Sequence, residues 1–343
     1  RQASELANSR IIVQIDSWDV NSMYPVGHFV KDLGEIGRVE TEIAAILVEN
    51  GVSCPPFPVG LFACLPKNTP QQPWKIPDEE LPRRRDWRQW RIYRIDPIGC
   101  KDIDDALSIH RNTADGTLTL GVHIADPSYF VTDGSLLEKE ARARSTTVYL
   151  PHTRFNMIPS ELSEDLCSLH QGKDKLAISV IYTLNDKFEI LEEWFGRTVM
   201  NSVHAMSYEQ AQAIIDQSPD MPKWNDLELL KEELDLMLAI SSKLKDKRAA
   251  RGALELASEE VGFDFEQQPH HQQQTNEAAA SQSIVVNKIK THDDMDTHWL
   301  VEELMILANE SVAKRLWQAF PSTALLRGHP LPNPRRFRDL LQV

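Results

Sequence analysis

The sequence is poor in cysteine and has no long apolar segment. Its four cysteines, at positions 54, 64, 100 and 167, form neither a Cys-x-x-Cys pair nor a zinc-finger spacing. This excludes the common zinc and dithiol motifs and predicts reduced thiols, as in the nucleus or the cytoplasm. No apolar run reaches the length of a transmembrane helix and no signal peptide is recognisable, so we expect no membrane partner.

Several catalytic motifs are also missing, and so is an excess of positive charge. We find no Gly-x-Ser-x-Gly elbow, no Walker-type loop and no Gly-x-Gly-x-x-Gly, which argues against the common serine-nucleophile and nucleotide-binding enzymes. The formal net charge is −14, whereas a protein that grips RNA by its backbone usually presents a basic face. Any cationic channel for RNA must therefore be local.

One segment is locally basic. Six arginines and three aromatic residues alternate between Arg83 and Arg94, and guanidinium groups beside rings can engage phosphates and bases. On this interpretation Arg88 and Arg91 contact RNA. The alternative is that the rings pack on the following domain while the arginines pair with surface acids.

The strongest chemical signal is a cluster of acids. Asp96, Asp102, Asp104 and Asp105 fall within ten residues, directly before the apolar run Ala106-Leu107-Ser108-Ile109. Carboxylates crowded beside a buried strand repel one another unless a cation sits among them. All-oxygen sites of this kind hold Mg²⁺ or Mn²⁺, and a pair of such ions is a common device for cleaving phosphodiesters.

Convergence of these acids requires a turn, which Pro97 and Gly99 predict. A solvated acidic loop is the simplest alternative. A calcium loop fits poorly, because Ala106 and Leu107 fall where an acid and the turn glycine belong.

The remaining sequence predicts an α+β fold. Strand-like runs at Ile11–Asp16, Gly27–Val30, Leu118–His123 and Leu176–Tyr182 are followed by helical patterns at about Leu227–Ala250 and Thr297–Phe320. Val39–Val48 reads as a short helix. His123 and Asp126 alternate with apolar residues, and both bracing of the core and direct catalysis remain open for them.

The acidic segment and four later blocks resemble the ribonuclease II (RNB-domain) family in order and spacing. The blocks are G-V-H-I-A-D (121–126), T-T-V-Y-L (146–150), M-I-P-S-E-L-S (157–163) and L-C-S-L (166–169). Segments 17–30, 301–314 and 324–330 are most similar to the eukaryotic, exosome-associated branch.

This resemblance implies a hydrolytic 3′→5′ exoribonuclease that degrades single-stranded RNA to nucleoside monophosphates with two Mg²⁺ or Mn²⁺ ions. It implies metal-ligand roles for Asp96, Asp102 and Asp105, and it makes Asp104 the acid needed for cleavage but not for RNA binding. Tyr149 matches an aromatic that stacks on bases. Phe263 matches its partner, with Phe265 as an alternative alignment.

The resemblance also divides the chain. It implies the end of an OB or cold-shock RNA-binding domain at 1–65 and an RNB catalytic domain at 87–343. Between them, the prolines from Pro66 to Pro82 predict a linker at 66–86. Polar, repetitive composition predicts a disordered insert at about 265–283. The family's T-S-P-I-R-R-Y motif, whose arginine stabilises the transition state, does not occur before Val343. We therefore expect this piece alone to lack full activity, and exosome core subunits are expected partners. A catalytically silent RNA-binding protein or exosome scaffold is the alternative.

Overall fold

The computed structural model describes residues 6–53, 55–150, 153–253, 261–268, 283–291 and 295–328, together with 330 and 333; for 261–268 and 283–291 the description covers the backbone. The chain forms two compact units. The first comprises Arg1–Pro66, Phe130–Ser160 and Leu256–Asp293, and the second comprises Lys67–Tyr129, Glu161–Glu255 and Asp294–Val343.

The first unit is built from short hairpins and helices. Strands β1 (Ser9–Ser17) and β2 (Val26–Glu35) pair antiparallel, and helix α1 (Val39–Glu49) follows them, as the sequence predicted. Helix α2 (Leu136–Arg144) is capped at its N-terminus by Ser135, whose side chain accepts a hydrogen bond from the backbone N–H of Glu138. The later strands of this unit are β7 (Val148–Tyr149), β8 (Arg154–Phe155), β12 (Val261–Gln268) and β13 (Ser283–Thr291).

A mixed seven-stranded sheet is the centre of the second unit, with strand order β11-β4-β5-β6-β9-β10-β3. The strands are β3 (Arg85–Asp86), β4 (Ile92–Asp96), β5 (Asp105–Arg111), β6 (Leu118–Ala125), β9 (Asp174–Leu184), β10 (Ile190–Asn201) and β11 (His204–Ser207). The strands predicted around Leu118–His123 and Leu176–Tyr182 are confirmed as β6 and β9.

Three helices cover one face of this sheet. They are α3 (Tyr208–Ile215), α4 (Leu227–Ala250) and α5 (Asp296–Ala319), and the two predicted long helices are therefore confirmed. Alternate apolar residues of the strands, such as Leu120 and Tyr182, join Leu234 and Leu304 of the helices in one buried core. The chain is thus an α+β protein with a mixed sheet. Within the described part of the chain, no helix is long and apolar enough to cross a membrane.

The opposite face of the sheet carries small and polar residues. His123 is 0% exposed; its Nε2 lies 2.9 Å from Ser108 Oγ and its Nδ1 lies 2.7 Å from Ser179 Oγ. A Cβ atom on Gly121 would lie 2.4 Å from Ser108 Oγ, so glycine leaves the space that the imidazole needs. These contacts support the bracing interpretation of His123.

Asp126 is also buried, and its partner comes from the predicted linker. Arg84 donates to Asp126 and to Glu80 at 2.7 Å each, and its side chain is fully buried. Two residues of the predicted linker, Arg85 and Asp86, form β3 and pair in parallel with β10. The last part of the 66–86 segment is therefore built into the second unit. Local sequence did not reveal this, because the partners of Arg84 and β3 lie far along the chain.

At both ends of the insert predicted at 265–283, the structure has strands. Phe265–Gln268 continue β12, and Ser283 begins β13, which pairs antiparallel with β12. Alternation of apolar and polar residues over Val261–Phe265 extends the strand into the polar segment. The rest of the predicted insert, 269–282, lies outside the described residues.

Candidate active site

The acidic segment folds back through a tight turn, as its glycine and proline predict. The backbone N–H of Cys100 donates to the carbonyl of Pro97 at 3.1 Å. Gly99 adopts a φ of +82°, in the left-handed region that favours glycine at this position of a turn. The turn directly follows Asp96, the last residue of β4, and leads to Asp105, the first residue of β5.

Backbone contacts hold the segment beyond the turn in place. The N–H of Ile103 donates to Ser168 Oγ at 3.0 Å, and the hydroxyl of Ser168 donates to the carbonyl of Lys101 at 2.9 Å. The N–H of Ala125 donates to the carbonyl of Asp104 at 2.8 Å. Ser168 belongs to the L-C-S-L block, which resembles the family pattern. That block was a sequence signal for Ser168, but it did not reveal that this serine anchors the acidic segment.

The acids of this segment act on one another electrostatically. Burial, together with the charges of Asp96 and Asp104, raises the pKa of Asp105 to about 7. Burial also raises the pKa of Asp96, as do the charges of Asp104 and Asp102, while the nearby Arg94 lowers it. The fold therefore brings all four predicted acids into one region of negative potential.

Two neighbouring side chains also respond to this field. Burial and the charges of Asp105 and Asp96 raise the pKa of Tyr208, the first residue of α3, to about 12. Burial and the charges of Asp96 and Asp102 raise the pKa of Cys100 to about 11. Tyr208 and Cys100 therefore stay protonated beside the acids, and the tyrosine hydroxyl is a neutral donor that sequence reasoning missed.

The donor set suits Mg²⁺ or Mn²⁺ in its chemistry. Four carboxylates supply oxygen ligands only, which hard divalent cations prefer, and a cation among them would relieve the repulsion that raises their pKa values. Within the described residues, no three His, Cys, Asp or Glu side chains already converge as a metal-binding group.

The predicted RNA-stacking residues lie in the first unit. Tyr149 is in the short hairpin of β7 and β8, and 65% of its surface is exposed to solvent. Phe263 lies in β12, where its backbone pairs with Ile289. Most of Tyr149 therefore lies at the surface of this unit.

Arg88 and Arg91 have acidic partners in the second unit. Arg88 contacts Asp86 at 2.6 Å and Asp174 at 3.0 Å. Arg91 contacts Asp226 at 2.8 Å and Glu233 at 3.1 Å. These contacts favour the interpretation in which the arginines of the basic segment pair with surface acids of the domain rather than with RNA.

A cluster of carboxylates can hold the divalent cations that many enzymes use to cleave phosphate esters. The RNB domain matches residues 84–343, and the Dis3-like cold-shock domain 2 (CSD2) matches residues 1–51. The chain belongs to the RNB-domain family, as the motifs indicated, and a Dis3-like cold-shock domain of the OB type precedes its RNB domain.

Curated relatives match over the whole chain. The chain is 40% identical over 343 residues to the exosome complex exonuclease RRP44 of Mus musculus, covering 100% of this chain and 33% of that protein. It is 40% identical over 351 residues to the exosome complex exonuclease dis3 of Schizosaccharomyces pombe, covering 100% of this chain and 34% of that protein. The chain thus spans about a third of the length of these relatives.

Solved structures share the fold at lower identity. RNase R of Mycoplasma genitalium, solved in complex with ribose-methylated single-stranded RNA, matches with a TM-score of 0.77 and 22% identity, over 98% of this chain and 48% of that one. Yeast Ssd1, described as a pseudonuclease, matches with a TM-score of 0.73 and 23% identity, over 100% of this chain and 40% of that one. The fold alone therefore does not decide between an active and an inactive member.

Proposed function

We propose that this chain carries the cleavage site of a hydrolytic 3′→5′ exoribonuclease that degrades single-stranded RNA to nucleoside monophosphates. The observation that carries this proposal is the position of Asp96 at the end of β4 and of Asp105 at the start of the neighbouring strand β5, with Asp102 and Asp104 between them, in the central sheet of an RNB domain. The exonuclease names of relatives 40% identical over the whole chain support the same reaction class.

Each acid has a distinct proposed role. Asp96, Asp102 and Asp105 would hold Mg²⁺ or Mn²⁺, and Asp104 would be the residue needed for cleavage but not for RNA binding. Ions bound there would supply positive charge against the phosphoryl oxygens and acidify water for hydrolysis. The turn at Gly99 and the hydrogen bond that the N–H of Ile103 donates to Ser168 Oγ hold the backbone between Asp96 and Asp105.

RNA would be positioned by aromatic stacking rather than by a broad basic surface. We assign base stacking to Tyr149, whose exposed ring can accept any base, and to Phe263 as its partner. Stacking of this kind is worth about 1–3 kcal/mol per base and tolerates any sequence, as suits a general RNA-degrading enzyme. Arg88 and Arg91 are left out of this role because acidic side chains already bind them.

The relatives' names also suggest an assembly. Proteins called exosome complex exonucleases are similar to this chain over its whole length, so we propose exosome core subunits as partners in RNA processing and decay. A location in the nucleus, the cytoplasm or both follows from that proposal.

The first experiment compares Asp104→Asn with a matched aspartate variant. Purified full-length protein is incubated with Mg²⁺ and 5′-labelled single-stranded RNA, and the products are resolved by length. The control is Asp186→Asn, in the exposed turn between β9 and β10. We expect a ladder that shortens from the 3′ end with wild type and Asp186→Asn, and no ladder with Asp104→Asn or with EDTA.

A second candidate function has its own support. Ssd1, described as a pseudonuclease, shares the fold over the whole of this chain, so a silent RNA-binding protein or exosome scaffold is the alternative. Intact RNA that still shifts on a native gel with wild-type protein would favour that alternative. Equal cleavage by wild type and Asp104→Asn would contradict the role given to Asp104.

A further inference from the structure

Arg94 places a positive charge inside the candidate active site. It lies two residues before Asp96 on β4, so the two side chains leave the strand on the same face. Arg94 Nη1 lies 3.0 Å from Asp96 Oδ2, and the two side chains are only 20% and 9% exposed. This is a half-buried ion pair on an acid to which we assign a metal-ligand role.

The fold leaves room for this guanidinium. On the neighbouring strand β11, the residue in register with Arg94 is Ala205, and Ser207 is in register with Asp96. Arg94 Nε is buried, and its N–H donates to no hydrogen-bond partner among the described residues. The hydrogen bonds of Arg94 are therefore incomplete, and its main interaction is with the carboxylate of Asp96.

The other arginines of the basic segment have different partners. Arg84 binds Asp126 and Glu80, Arg88 binds Asp86 and Asp174, and Arg91 binds Asp226 and Glu233. None of these acids belongs to the Asp96–Asp105 cluster. Arg94, by contrast, pairs with Asp96 of the cluster.

A guanidinium and a divalent cation make opposing demands on Asp96. Both bind carboxylate oxygens, so an ion that binds Oδ2 would compete with Arg94 for it, and an ion nearby would be repelled by the guanidinium. In a half-buried site such charges interact more strongly than in water.

We propose that Arg94 is a built-in counter-ion of the carboxylate cluster. Arg94 holds Asp96 before a divalent cation binds, and it lowers the affinity of the cluster for that cation. The inference rests on the proposed function, since it requires that the cluster binds Mg²⁺ or Mn²⁺. Arg94 is a positioning residue in this scheme, because it acts through Asp96. The concentration of divalent ion needed to fill the site is then set by this arginine.

The test measures binding of Mn²⁺ to full-length protein without RNA, by the electron paramagnetic resonance signal of free Mn²⁺. We expect Arg94→Gln to bind Mn²⁺ about tenfold more tightly than wild type, Arg94→Lys to stay close to wild type because it keeps the charge, and Arg88→Gln to match wild type. A variant that merely disturbs the site would bind more weakly, so tighter binding separates the proposed role from a structural one. Arg94→Ser replaces Arg94→Gln if the latter does not fold.

Two results would overturn the proposal, and they differ in what they say about the proposed function. If Arg94→Gln and wild type bind Mn²⁺ with the same affinity, or the variant binds more weakly, Arg94 is not a competing counter-ion, while the metal site itself stands. If neither protein binds Mn²⁺ at millimolar concentration, the metal site of the proposed function fails together with this inference.

Discussion

Acid should destabilise the central sheet through His123. The imidazole is fully buried between Ser108 and Ser179, and burial lowers its pKa from 6.5 to about 3. The folded sheet therefore holds a neutral imidazole at pH values where the same histidine in the unfolded chain is already protonated. Protonation can thus favour unfolding without any change in the contacts of the folded state.

The sign and size follow from linkage. Between the two pKa values the unfolded state binds more protons than the folded state, so the free energy of unfolding falls as the pH falls below about 6.5 and continues to fall towards about 3. With an unfolded pKa of about 6.5, lowering the pH from about 7.5 to about 5.0 removes roughly 2 kcal/mol through this one group.

Two variants isolate this contribution. His123→Gln keeps a donor and an acceptor for the two serines but cannot titrate, whereas Ser179→Ala breaks the same network and keeps the imidazole. Hydrogen exchange of peptides from β6 and β9, measured on full-length protein at both pH values and corrected for intrinsic exchange, gives the free energy of opening. We expect wild type and Ser179→Ala to lose roughly 2 kcal/mol more on acidification than His123→Gln. An equal loss in wild type and His123→Gln would refute the reasoning.

Two further predictions concern other residues. Replacing Arg84 by leucine (Arg84→Leu) leaves the carboxylates of Asp126 and Glu80 buried without their cation, which should lower the free energy of unfolding by about 3–5 kcal/mol. Calorimetry should show the melting transition of the second unit about 10 °C lower. An unchanged transition would argue against this ion pair. In an Asp104→Asn background, Tyr149→Ala should weaken binding of single-stranded RNA about 5- to 150-fold by fluorescence anisotropy, whereas Tyr149→Phe keeps the ring and should bind like its parent. Equal affinity of the alanine and phenylalanine variants would rule out stacking on Tyr149.

Local sequence determined much of the fold. Alternation of apolar residues predicted β6 and β9. Helical spacing predicted α4 at Leu227–Ala250 and predicted both ends of α5 to within one residue. The turn before the acids followed from Gly99, since a φ of +82° is easily reached only by glycine. These features depend on neighbours a few residues apart, which is why the sequence alone was enough.

The order and spacing of the motifs also indicated the family and the acids of the candidate site. The tertiary structure decided how those acids are held and which charges face them. Ser168 anchors Ile103 from 65 positions away, Arg84 reaches Asp126 across 42 positions, and small residues on one face of the sheet make space for His123. The fold also places Asp96 beside Arg94, whereas Arg88 and Arg91 each contact two acids outside the cluster. Such pairings arise from strand order and side-chain packing between distant segments, and no local period in the sequence encodes them.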